Sequence, residues 1–185
     1  MLSPGDKVAV VSPSRGLPEL FPAPYELGLT RLRDEFGLLP VEYPTTRRLR
    51  TSPQERAADL HAAFADPEIK ALIATIGGDD QITVLKHLDA DLIRANPKPF
   101  FGYSDNTNLL AYLWTLGIVA FHGGSIMVQF GRPGEMHPMS ADSLRAALFT
   151  SADYELRESS AYGDVERDWA DPATFPVANQ NQPTG

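Results

Sequence analysis

The sequence predicts a doubly wound α/β fold: a mostly parallel sheet of about five strands with helices on both faces. Two observations predict it. Short runs with both faces apolar recur along the chain, as strands of a sheet buried on both sides do. They begin at residues 7, 39, 71, 99 and 118, so 32, 32, 28 and 19 residues apart. A spacing near 30 leaves room for one crossover helix between successive strands, the βαβ unit.

The runs, in order, are Lys7–Ser12, Leu39–Tyr43, Ala71–Ile76, Pro99–Tyr103 and Ile118–His122. The segments between them read as helices. Tyr25, Leu29, Leu32 and Phe36 form an i, i+4, i+7, i+11 stripe. Ser52-Pro53-Gln54-Glu55 is a capping box with proline at the first helical position. Ala57, Leu60, Ala63 and Phe64 follow it as a buried face. Gln81–Leu88 and Asp89–Arg94 read as two short helical pieces. Asn106–Leu116 places Leu109, Leu110, Leu113 and Trp114 on one side, and Ser140 reads as the cap of a helix over 141–149. Residues 1–160 form one α/β domain in this reading. Tyr162–Gly185 contains Pro172, Pro176 and Pro183, few aliphatics and no period. Residues 161–185 therefore read as an interdomain linker, an ordered surface loop, a disordered tail or the start of a missing C-terminal domain, since no closing helix or strand follows.

Composition narrows the function. Of 185 residues, 43% are hydrophobic and 22% charged, enough apolar material for a core. The absence of cysteine excludes a disulfide scaffold, a cysteine zinc or iron–sulfur site and a cysteine nucleophile. Sixteen Lys and Arg against 24 Asp and Glu give a net charge of −8, which argues against a nucleic-acid surface. No apolar run approaches the ~18–20 residues of a membrane span. The start, Met1-Leu2-Ser3-Pro4-Gly5-Asp6, has neither the basic nor the apolar region of a signal peptide, and a cytoplasmic location fits.

In an open parallel sheet, ligands bind at the carboxyl ends of the strands. Here those ends carry Ser12-Pro13-Ser14-Arg15-Gly16, Gly77-Gly78-Asp79-Asp80, Gly102-Tyr103-Ser104-Asp105-Asn106 and His122-Gly123-Gly124-Ser125. Ser104 sits between a strand and a helix, two residues after a glycine. That is the pattern of a nucleophile elbow, which lifts a serine hydroxyl out of the backbone. The Asp105 amide would then face a developing oxyanion at a helix start. Asn106 stands where the elbow's second glycine would be, and the same residues also read as a helix cap. Ser104 is expected to have φ > 0, with the Gly78 amide near its hydroxyl on the same sheet edge. Gly77-Gly78 brings backbone amides close to a ligand, or simply makes a tight turn. Ser12-Pro13-Ser14 reads as turn chemistry or an anion contact. Of His61, His87, His122 and His137, only His122 ends a strand; it is a candidate base or ligand, or a packed histidine. No histidine pair or carboxylate cluster has metal-ligand spacing.

Taken together the motifs resemble the serine LD-carboxypeptidases, which include muramoyltetrapeptide carboxypeptidases and microcin C immunity peptidases. The matching pieces are residues 4–14 (PGDKVAVVSPS), Ile76-Gly77-Gly78-Asp79-Asp80, Phe101-Gly102-Tyr103-Ser104-Asp105-Asn106-Thr107 and Phe121-His122-Gly123. Their order and spacing carry the likeness, and the I-G-G-D-D form is closer to the microcin-immunity branch. The resemblance implies a flavodoxin-like amino-terminal domain and a Ser–His–Glu triad whose nucleophile is Ser104. It implies an oxyanion hole from the amides of Gly78 and Asp105, with Gly77, Asp79, Ser12 and His122 as pocket candidates. It places the triad Glu and His in a carboxy-terminal domain beyond this chain, and His122 at a family position that is not the triad histidine. No cofactor or metal is implied. The implied partner is a small peptide or peptidyl-nucleotide, and the expected assembly is a homodimer. The rival expectation is a small-molecule-binding α/β domain without catalysis.

Overall fold

Strands β1 (Lys7–Val11), β2 (Leu39–Glu42), β3 (Ile69–Ala74), β4 (Phe100–Gly102) and β5 (Ala120–His122) form one sheet in the order β2-β1-β3-β4-β5. All four pairings are parallel. A computed structural model describes residues 1–163, 168–171, 173, 175–176 and 181–184. Helices α1 (Pro22–Asp34), α2 (Pro53–Ala65), α3 (Ile82–Leu85), α4 (Ala90–Ala95), α5 (Thr107–Thr115) and α6 (Pro138–Phe149) surround the sheet. A π-helical turn, Ile126–Phe130, follows β5. The expected doubly wound fold is what forms.

Period-two alternation builds the core on both faces of β1. Val8 and Val10 join Tyr25, Leu29 and Leu32 of α1, Phe130 of the π turn and Leu144 and Leu148 of α6. Ala9 and Val11 join Leu60 and Phe64 of α2, Ile93 of α4 and Leu109 and Leu113 of α5. The predicted stripe of α1 is therefore its buried face. The capping box of α2 is formed: Ser52 Oγ accepts from the Glu55 amide at 3.2 Å, and Glu55 accepts from the Ser52 amide at 2.8 Å.

Three expectations fail for identifiable reasons. β2 and β5 are edge strands, β2 with Leu39 45% exposed and β5 only partly buried, not strands buried on both faces. Pro40 of β2, which cannot donate to a ladder, suits an edge. Trp114 is 80% exposed while Leu109, Leu110 and Leu113 are buried, because one residue beyond Leu113 the helix has already turned past its buried arc. Ser140 lies inside α6; His137 is the cap and Pro138 the first residue, since the fixed φ of proline is pre-set for a helix start.

The described part of 161–185 folds back on the domain. β6 (Ala161–Tyr162) and β7 (Gln182–Pro183) pair antiparallel. Trp169 meets Phe21 edge to face, with centroids 5.8 Å apart, and Phe175 is buried. Pro172 lies outside the described residues.

Candidate functional site

Because β1, β3, β4 and β5 run parallel, their trailing loops all leave the same edge of the sheet. The β4 loop is the most constrained. Tyr103 is extended, Ser104 has φ 60°, and a 3₁₀ turn (Ser104–Asn106) leads into α5. Among the described residues, Ser104 is the non-glycine residue in the left-handed region. A side chain held there costs on the order of 1–3 kcal/mol and persists only where its surroundings over-determine it. Here they do.

Asp105 and Asn106 anchor the turn from opposite sides. The Asp105 carboxylate accepts from the Ser14 hydroxyl after β1, from the Asp80 and Gln81 amides after β3 at 3.1 and 3.0 Å, and from Asn108 Nδ2 at 3.0 Å. Asn106 is fully buried. Its Nδ2 donates to the carbonyls of Ile76 (3.0 Å) and Tyr103 (3.2 Å), and its Oδ1 accepts from Gln81 Nε2 at 2.7 Å. Gln81 Oε1 in turn accepts from the Leu109 amide at 2.9 Å. Three strand-end loops are thereby tied into one block, leaving the Ser104 side chain exposed at its surface.

Two glycines are spacing requirements. A Cβ on Gly102 would lie 3.0 Å from Asn106 Cβ, so a side chain there would push the turn away from β4. A Cβ on Gly77 would lie 3.1 Å from Ser104 Oγ and 3.5 Å from the Asp105 amide nitrogen. The Gly77-Gly78 turn and Ser104 lie beside each other in the wall of a cavity of about 320 Å³, which Arg15, Tyr103 and Val128 also line.

Other predicted residues are distributed unevenly. Asp79 lines this cavity and pairs with Arg15, whose Nε donates to it at 3.1 Å. Ser12 does not reach the cavity: it is buried, donating to the Thr46 carbonyl at 2.7 Å and sharing a hydrogen bond with Thr75 Oγ1 at 2.7 Å. Its hydroxyl is used to pin β1 to its neighbours, which corrects its reading as a pocket residue. His122 is exposed, its ring 6.1 Å from that of Tyr103, and it lines a separate cavity of about 490 Å³ with Phe121, Gly124, Leu144 and Leu156. His61 instead accepts from the Asp89 amide at 2.8 Å, and His137 meets the Ala161 carbonyl at 3.0 Å. None of these histidines lines the Ser104 cavity.

Sequence reasoning placed Ser14 and Arg15 in a strand-end turn but missed their partners, and it missed the bonds of the Asp105 side chain. It also missed Arg56, a buried guanidinium that grips Asp80 through two bonds of 2.8 Å and donates to the Ser14 carbonyl at 2.7 Å. Those bonds hold the Asp80 carboxyl below the usual carboxylate range. Among the described residues, no group of three His, Cys, Asp or Glu could hold a metal ion, and no helix is long and apolar enough to cross a membrane.

Residues 8–123 match the family model for the LD-carboxypeptidase N-terminal domain. The "Probable murein peptide carboxypeptidase" of Bacillus subtilis is 32% identical over 163 residues, covering 85% of this chain and 49% of that protein. The microcin C7 self-immunity protein MccF of Escherichia coli is 39% identical over 90 residues, covering 48% of this chain and 25% of that protein. A structure of MccF in complex with aspartyl sulfamoyl adenosine superposes with a TM-score of 0.88 at 25% identity, covering 98% of this chain and 56% of that one. The chain spans about half the length of the curated relatives it matches.

Proposed function

The chain belongs to the LD-carboxypeptidase family, and from that premise we propose that it carries the nucleophile half of a serine peptidase. The single observation that carries this reading is Ser104: an exposed serine with φ 60°, on a strand-to-helix turn, beside a glycine pair in the wall of one cavity. In the proposed reaction, Ser104 Oγ attacks the carbonyl of an amide adjacent to a free carboxylate. The Gly78 and Asp105 amides stabilise the oxyanion, and water then releases the acyl group. The base and its orienting carboxylate belong to the part of the family's length that this chain does not span, which fits the lack of a histidine in the described Ser104 cavity. The 185-residue chain alone is therefore expected to be nearly inactive. One relative is named a probable murein peptide carboxypeptidase and one neighbour's structure holds aspartyl sulfamoyl adenosine, so a murein peptide and an aminoacyl nucleotide are the two substrate classes proposed.

The test compares the 185-residue chain, the chain extended to the length of its relatives, and the extended chain carrying Ser104→Ala. Each is assayed on a tetrapeptide muropeptide and on an aminoacyl sulfamoyl adenosine. Turnover by the extended chain on one of them, abolished by Ser104→Ala, is the expected outcome. Unimpaired turnover by Ser104→Ala removes the serine mechanism. Ser104-dependent turnover by the short chain shows that the base was misplaced, with His122 the first suspect.

A further inference from the structure

The Ser104 cavity adjoins a second one of about 420 Å³, and the two share Arg15, Leu17 and Asp79 in their walls. The second is lined by three arginines, Arg15, Arg50 and Arg56, on a chain whose net charge is −8. These guanidiniums are not equivalent. Arg56 is buried and committed, with two bonds to Asp80 and others to the Ser14 and Pro13 carbonyls. Arg15 is about half exposed, and it is held by a pair with Asp79 that is likewise exposed. An exposed pair contributes little, so a competing oxyanion displaces it at little cost. Arg50 has no ion pair or hydrogen bond among the described residues.

We propose that Arg50 and Arg15 form an oxyanion subsite for the substrate group distal to the scissile amide, with Asp79 as the built-in competitor that Arg15 releases on binding. The proposal rests on the reading of Ser104 as the reacting centre, because the subsite is defined by its position along the same cleft. The Arg15–Asp79 pair stands where the two chambers meet, so an elongated ligand entering from the Arg50 side meets it before Ser104. Planar guanidiniums suit bidentate recognition of either a phosphoryl or a carboxylate group. The two sources are a nucleotide phosphate and a peptide side-chain or terminal carboxylate.

The experiment measures binding to the 185-residue chain by calorimetry and by amide shift changes at Arg15, Arg50 and Asp79. The probes are adenosine monophosphate for phosphate, and N-acetyl-D-glutamate for carboxylate. One arm is expected to bind, weakening at least tenfold in Arg50→Gln, weakening as salt rises, and tightening severalfold in Asp79→Asn, which frees Arg15. The tightening is not something a structural role would give. Ser104→Ala should bind as the parent does, so failure of the hydrolysis test and failure here are separate results. Absence of binding in both arms, or equal binding by the parent, Arg50→Gln and Asp79→Asn, overturns the subsite. All these side chains are exposed, and unchanged circular dichroism of each variant establishes that a lost affinity is not a lost fold.

Discussion

Removing the Asp105 carboxylate should unlock the block that holds the serine turn. In Asp105→Ala four donors lose their acceptor: the Ser14 hydroxyl, the Asp80 and Gln81 amides and Asn108 Nδ2. They do not count equally. Ser14 is 3% exposed and Gln81 fully buried, so water cannot readily replace the lost acceptor for either. A hydrogen bond to a charged group contributes about 1.5–3 kcal/mol. Because Asp105 is itself only half-buried, the lower end applies to each, giving about 3 kcal/mol for the two. The Asp80 amide and Asn108 lie nearer water and add little. For a chain of this size each kcal/mol moves Tm by about 2–4 °C, so Asp105→Ala should melt roughly 6–12 °C below the parent. The control is a double-mutant cycle with Ser14→Ala, read by thermal melts and by urea midpoints at constant m-value. Ser14→Ala should cost much less once Asp105 is gone, with a coupling of about 1 kcal/mol. A loss below about 1 kcal/mol for Asp105→Ala, or additive single effects, would refute the claim that this carboxylate joins the three loops.

The strain at Ser104 gives a second expectation: Ser104→Gly should be more stable than Ser104→Ala by about 1 kcal/mol in urea melts, since only glycine occupies φ 60° freely; equal midpoints would mean the turn carries no strain. The Asp80 carboxyl is held below its ordinary range, first by its hydrogen bonds from Arg56. A depressed folded-state pKa stabilises the protein above the ordinary carboxylate pKa of about 3.9, and that contribution is lost as pH falls through the lower folded value. Asp80→Asn should therefore flatten the acid limb of stability against pH below about pH 4 and leave its shape near pH 7 unchanged; an acid limb as steep as the parent's would exclude the pair as its source. Buried Arg31 donates to the carbonyls of Phe130, Arg132 and Gly134 and to Glu35, fixing the π turn that brings Val128 to the cavity wall. Arg31→Lys should destabilise by about 2–4 kcal/mol, because a lysine cannot fill a planar fork; a Lys variant as stable as the parent would show that charge alone suffices there.

The strands and long helices were legible because apolar period is a local property. Val8, Val10, Ala9 and Val11 declare two buried faces within one short run, and Ser52 with Glu55 declares a helix start within four residues. The Gly102-x-Ser104 turn was legible for the same reason. What escaped was non-local. Ser14 and Asp105 are 91 positions apart, and Arg56 and Asp80 are 24 apart, and nothing in either neighbourhood marks the partner. Ser12 and Ser14 show the limit most sharply. They sit two residues apart in one Ser-Pro-Ser turn, yet one hydroxyl is spent under the sheet edge and the other crosses to the β4 loop. Only the path of the chain after β1 decides which is which.

The departure from the elbow pattern at residue 106 has the same origin. A second glycine after the serine relieves crowding between the turn and the strand. Here the relief comes from Gly102 alone, and the space it leaves, 3.0 Å from the Asn106 Cβ, is filled by the asparagine side chain. That side chain returns two hydrogen bonds to carbonyls on either side of the cavity floor, Ile76 before the glycine pair and Tyr103 before the serine, and takes one from Gln81. A glycine at 106, where the backbone is ordinary right-handed (φ −63°), would relieve no strain and would leave Gln81 Nε2, a donor on a fully buried side chain, without an acceptor. Asparagine instead makes the position of the glycine pair and the position of the serine one structural variable. An oxyanion hole needs that property, since a donor displaced by a fraction of an ångström no longer meets the charge it has to stabilise. The residue that breaks the motif is thus the one that ties the two halves of the proposed hole together.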